Sequence, residues 1–181
     1  ILWDNPDRAQ ARISPDGKRI SFLAPVDGVL NVWVGPPDSP DRAKPVTKDS
    51  GRGIRSHFWA YTNRHILYLQ DRGGDENWRV YCVDLESGEE KDLTPFEKVA
   101  AQIDNVSHRF PQEVLIALND RDPRFHDVYR VDLATGDEIQ RKAGGALPLL
   151  PLCIANRLNA RELPVECFIV DGELLDTWYA E

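Results

Sequence analysis

Apolar and polar positions along this chain fall into short runs rather than helical periods, and the runs recur. Val32-Trp33-Val34, Val80-Tyr81-Cys82-Val83-Asp84-Leu85 and Val128-Tyr129-Arg130-Val131-Asp132-Leu133 align without gaps at intervals of 48 residues. Each follows a second apolar run, at 20–24, 66–69 and 114–118, whose starts lie 46 and 48 residues apart. Val, Ile, Tyr, Trp and Phe dominate these runs, and such side chains suit a pleated, half-buried surface better than the crowded wall of a helix. Between them stand Pro15-Asp16-Gly17, Asp27-Gly28, Gly73-Gly74, Ser87-Gly88 and Thr135-Gly136. Glycine supplies the positive φ that tight turns need. Short strands joined by hairpins are predicted, with no amphipathic helix longer than two turns in residues 1–142.

A unit of four strands in about 48 residues has the size of a propeller blade. Each blade lies between two neighbours, so both of its faces are partly apolar and the alternation is patchy. A β-sandwich of similar strand count has no reason to repeat at this interval. The predicted fold is therefore all-β: a β-propeller fragment of about three four-stranded blades (about 11–50, 54–96 and 99–142, within residues 1–144). An irregular strand segment at 145–181 follows as a partial fourth blade or cap, with Asp171-Gly172 as a hairpin turn. Trp33, Trp78, Tyr81 and Tyr129 stand at or near equivalent repeat positions, which assigns them to packing between blades.

Charge narrows the partners. Lys and Arg total 22 against 30 Asp and Glu, a net charge of −8, and this excludes a phosphate backbone as an expected partner. No apolar run is long enough to span a membrane, and no basic-then-apolar leader pattern opens the chain. A cytoplasmic protein without a membrane partner is expected. Cys82, Cys153 and Cys167 are odd in number and widely spaced, so they read as core residues rather than a disulfide framework or zinc knuckle.

Chemistry-bearing residues are sparse. The eight-residue gap between His57 and His65 fits no zinc spacing, and these residues read as turn and strand-end histidines. The loop of Asp71, Arg72, Asp75 and Glu76 and its repeat equivalent at Asp120, Arg121 and Asp122 are the candidate binding loops, since charged loops on a rigid scaffold commonly bind. The same residues also suit a structural role, tying down their hairpins by hydrogen bonds. Neither loop has the pattern of an EF-hand. No cofactor or metal is expected.

The stretches NPDRAQARISPDGKRISFLAP, NVWVGPPD, GIRSHFWAYTNRHILYLQDRGGDENWRVYCVDLESGEEKDLTPF and LNDRDPRFHDVYRVDLATGD resemble consecutive first blades of a known propeller. It is the N-terminal propeller region of the prolyl oligopeptidase family of serine peptidases, which includes acylaminoacyl peptidases and dipeptidyl aminopeptidases. SPDGKRI by itself is also a feature of TolB-like propellers. The resemblance covers residues 2–142 and implies a domain that filters short peptides on their way to a Ser-Asp-His triad on a separate hydrolase domain. None of the seven serines lies in the G-x-S-x-G context of a nucleophile elbow. No catalytic residue is carried over, and the chain by itself is expected not to be an enzyme. The expected partners are a peptide, a hydrolase domain, or a second copy meeting open blade faces in a homodimer. The alternatives are a stand-alone, self-assembling interaction module and an autonomous hydrolase.

Overall fold

The computed structural model describes residues 5–136 and the backbone of a short ribbon at 169–170 and 173–174. Residues 5–136 form three antiparallel sheets in chain order. The first has the order β1 (Ala9–Ile13), β2 (Ile20–Val26), β3 (Val29–Gly35) and β4 (Lys44–Pro45). The second repeats it with β5 (His57–Trp59), β6 (His65–Gln70), β7 (Arg79–Asp84) and β8 (Glu90–Asp92). The third contains β9 (Ala101–Val106), β10 (Glu113–Asp122) and β11 (Phe125–Asp132). Residues 137–142, the end of the third expected blade, lie outside the described residues. So does most of the 145–181 segment, apart from the ribbon of β12 (Ile169–Val170) and β13 (Glu173–Leu174), which pair across positions 171 and 172.

Local chemistry sets these hairpins. Val26 pairs with Val29 across Asp27 and Gly28, both at positive φ (50° and 84°), which is the two-residue turn whose twist matches the flanking strands. The turn after β1 is closed by Ser14, whose Oγ donates to Asp16 (2.7 Å) and accepts from Arg19 N (3.0 Å). Asp16 N in turn donates to the Asn63 side chain (2.8 Å), tying this turn to its equivalent in the second sheet. At the other end of the unit, Asp84 and Asp132 each accept backbone N–H groups two residues ahead, at Glu86 (2.9 Å) and Ala134 (2.8 Å). These Asx turns are the structural content of the repeated Val-Asp-Leu.

Alternation along β6 and β7 explains why both faces of the middle sheet are apolar. Ile66, Tyr68 and Val83 pack toward the first sheet with Leu23, Val32, Ile54 and Trp59. Leu67, Val80 and Cys82 point the other way and pack with Val114, Ile116, Tyr129 and Val131 of the third. A sheet buried on both sides, each side against its chain neighbour, is the arrangement of stacked blades. Tyr81 stacks on Tyr68 with ring centroids 5.2 Å apart. Tyr129 is buried with its hydroxyl donating to Asp120 (2.7 Å). Tyr81 also packs into the core between the first two sheets and Tyr129 into that between the second and third, as assigned; Trp33 instead packs with Phe22, Ala24 and Ala43 within the first unit.

Candidate functional site

The first strands β1, β5 and β9 each pair with a single neighbour, so each keeps one edge without a strand partner among the described residues. They come together around a cavity of about 420 Å³ lined by Arg12 and Ile13 of β1, Phe58 and Trp59 of β5, Tyr61 just beyond it and Val106 at the end of β9. Three successive repeats thus supply one wall each. The Arg12 guanidinium lies over the Phe58 ring, 4.8 Å from its centroid, and Tyr61 meets His108 edge-on at 6.0 Å. Ile13 is 54% exposed and Tyr61 38%.

Behind this cavity, at the seam between the first two sheets, Ser21 Oγ and His57 Nε2 share a hydrogen bond of 2.8 Å. Both residues are fully buried. Burial, and secondarily the positive charge of Arg12, push the His57 imidazole down to about 4. The pair resembles half of a nucleophile–base couple, but His57 Nδ1 has no hydrogen-bond partner, so no acid orients the ring, and no substrate reaches a buried Oγ. His65, at the start of β6, is also buried and bonds Thr62 Oγ1 through Nδ1 (2.9 Å). Neither histidine belongs to a metal-binding group among the described residues.

The candidate binding loops are held mostly by their own bonds. Asp71 is buried and accepts from Arg52 (2.8 Å). Arg72 reaches Asp92 at 3.4 Å, and Asp75 accepts from Arg72 N (3.2 Å) and Asn77 N (3.1 Å). The Asn77 side-chain amide, donating at 3.2 Å, and then these backbone bonds lower the Asp75 carboxyl. Glu76 is exposed, at a positive φ of 58°. In the equivalent loop Asp120 takes the Tyr129 hydroxyl and Arg121 forks onto Asp127 (2.6 and 2.8 Å). Asp122 pairs with Arg124 (2.7 Å), which draws its carboxyl down to about 2. None of the seven loop residues lines the cavity between β1, β5 and β9.

A second cleft, of about 310 Å³, lies between the second and third sheets and is lined by Arg64, His65, Asp84, Lys91 and Gln112. Here Arg64 holds Asp84 through two hydrogen bonds, and this holds the carboxyl well below the ordinary carboxylate range. Lys91 donates to the Ala134 carbonyl. Cys82 lines this cleft as a buried thiol that burial pushes up to about 12, far from the thiolate a nucleophile needs.

No family model matches the chain. It is 54% identical over 136 residues to dipeptidyl aminopeptidase BIII of Pseudoxanthomonas mexicana, a match covering 75% of this chain and 20% of that protein. Among solved structures it is similar to the β-propeller domain of the trilobed protease of Pyrococcus furiosus (TM-score 0.53, 20% identity, 78% of this chain and 44% of that one). It is also similar to the acylaminoacyl peptidase of Pyrococcus horikoshii (TM-score 0.53, 20% identity, 79% of this chain and 26% of that one). The chain spans about a fifth of the length of the curated relatives it matches. In sequence and fold it matches the N-terminal β-propeller region of prolyl oligopeptidase family serine peptidases.

Proposed function

We propose that this chain is a non-catalytic propeller segment that gates access of short peptides to a peptidase site carried elsewhere. The observation that carries this reading is the high identity to a dipeptidyl aminopeptidase, confined to about a fifth of that protein. The described residues agree with it in a specific way. The Ser21–His57 pair is sealed from solvent and lacks an orienting acid, and the remaining buried serine side chains close turns. A rigid stack of sheets suits a filter, because the edges of β1, β5 and β9 and the cavity they line are held by packing between neighbouring sheets.

The test is direct. Purified chain is incubated with dipeptidyl and acylaminoacyl chromogenic substrates and with a serine-directed fluorophosphonate probe. The reading expects neither turnover nor labelling. Turnover that co-purifies with the chain and disappears on probe labelling would overturn it.

A further inference from the structure

We propose that the cavity between β1, β5 and β9 binds the C-terminal end of a peptide, Arg12 taking the terminal carboxylate and the Phe58–Tyr61 wall the last side chain. This inference concerns binding by the chain itself and holds whether or not the gating reading does.

Arg12 is the first reason. The chain carries a net charge of −8, and its arginines are largely claimed by carboxylates: Arg52 by Asp71, Arg64 by Asp84, Arg121 by Asp127 and Arg130 by Glu113. Arg12 has no such partner among the described residues. Its guanidinium instead lies over the Phe58 ring, 4.8 Å from the centroid, and among the described residues no hydrogen bond occupies its N–H groups, so they can fork onto a carboxylate.

Shape is the second reason. The cavity lies toward the small end of the range typical for small-ligand sites. Two of the four exposed large apolar side chains among the described residues, Ile13 and Tyr61, stand at it. A terminal residue carries its carboxylate and its side chain on the same Cα, which matches a cation and an aromatic wall placed side by side. The unpaired edges of β1, β5 and β9 supply backbone groups that an extended peptide end can bond. An internal Asp or Glu of a folded partner would bring its main chain no closer than its side chain allows, and so would leave those edges unused.

His57 offers an internal reporter. Its proton affinity is depressed in part by the Arg12 charge, so a carboxylate on Arg12 should ease its protonation.

The test uses the 181-residue chain with N-acetyl-alanyl-phenylalanine as free acid and as C-terminal amide, followed by NMR titration and calorimetry. The acid should bind about tenfold or more tightly than the amide. Arg12→Gln should reduce that ratio to near one while leaving the unfolding midpoint unchanged, since Arg12 is exposed. Phe58→Leu, which keeps the guanidinium but removes its platform, should weaken both ligands. The His57 titration midpoint should rise with the acid and stay put with the amide. Equal binding of acid and amide, no binding at millimolar concentration, a preference that survives Arg12→Gln, or displacement of the acid by an equal concentration of inorganic phosphate would each overturn the proposal.

Discussion

Ser21 Oγ and His57 Nε2 meet at 2.8 Å across the seam between two sheets, in a place closed to water. Protonating His57 would put a second cation near Arg12 and leave a charged N–H at Nδ1 with no acceptor. The folded ring therefore resists the proton until about pH 4, whereas an unfolded histidine takes it up near 6.5. Between these values the unfolded chain binds more protons, so this contribution to stability is whole above 6.5 and is lost as pH falls toward 4. The loss should amount to about 3 kcal/mol. Urea unfolding at pH 7.5, 5.5 and 4.5 measures it, and His57→Gln should flatten the dependence. An unchanged slope in the variant would place the acid sensitivity elsewhere.

The repeat also carries a polar lock. Thr47 Oγ1 accepts from Val32 N and Thr94 Oγ1 from Val80 N, both at 2.9 Å and both buried. In each unit the residue before the threonine also donates to that same valine's carbonyl, Val46 to Val32 and Leu93 to Val80 (2.8 Å each). Thr47→Val or Thr94→Val keeps the shape and orphans a buried N–H, which should cost about 1–3 kcal/mol. Thr→Ser should recover most of it. The two sites share no partner, so the double variant should show additive losses by chemical denaturation; strong coupling would mean that the first two sheets unfold through one shared seam.

Strand centres and turns were legible because the code for them is local. The β-branched and aromatic runs became β2, β3, β6, β7, β10 and β11, and the Asp-Gly signal became the β2–β3 turn. What joins the sheets was not legible. Ser21 and His57 are 36 residues apart, and nothing in either segment marks the other. Arg12, Phe58 and Val106 become neighbours only when three first strands converge, so the cavity had no signature in any one repeat. The charged loops show a further limit: Asp71 and Asp75 look alike in sequence, yet one is buried on Arg52 and the other is exposed among its own turn's N–H groups.

Gly35 ends β3 where the chain from the Pro40–Arg42 turn crosses it. A Cβ there would stand 2.6 Å from Ala43 Cα and 2.8 Å from Ala43 Cβ. Gly35→Ala should therefore destabilise the first sheet by about 1–3 kcal/mol through overpacking. Adding Ala43→Gly removes just one of the close atoms, because the Ala43 backbone remains in the way. Partial rescue in thermal unfolding is expected. Full rescue would show that the backbone yields and that the side chain alone sets the clash.

The two candidate loops should respond unequally to loss of charge, and the reason lies in burial. The Asp71 side chain is 3% exposed and its partner Arg52 is half exposed. Arg52→Ala would leave a buried carboxylate without its cation, at a cost of about 2 kcal/mol, below the range for a wholly buried pair because water reaches the guanidinium side. Asp122 and Arg124 form instead an exposed pair two residues apart at the tip of the β10–β11 hairpin. Asp122→Ala should change stability far less than Arg52→Ala does, and 1 M salt, which screens exposed pairs, should shrink the Asp122→Ala effect further while leaving most of the Arg52 effect. Denaturation of the two variants at low and high salt decides the matter: an Asp122→Ala loss as large as that of Arg52→Ala would mean that the exposed tip, rather than the buried ion pair, anchors its hairpin.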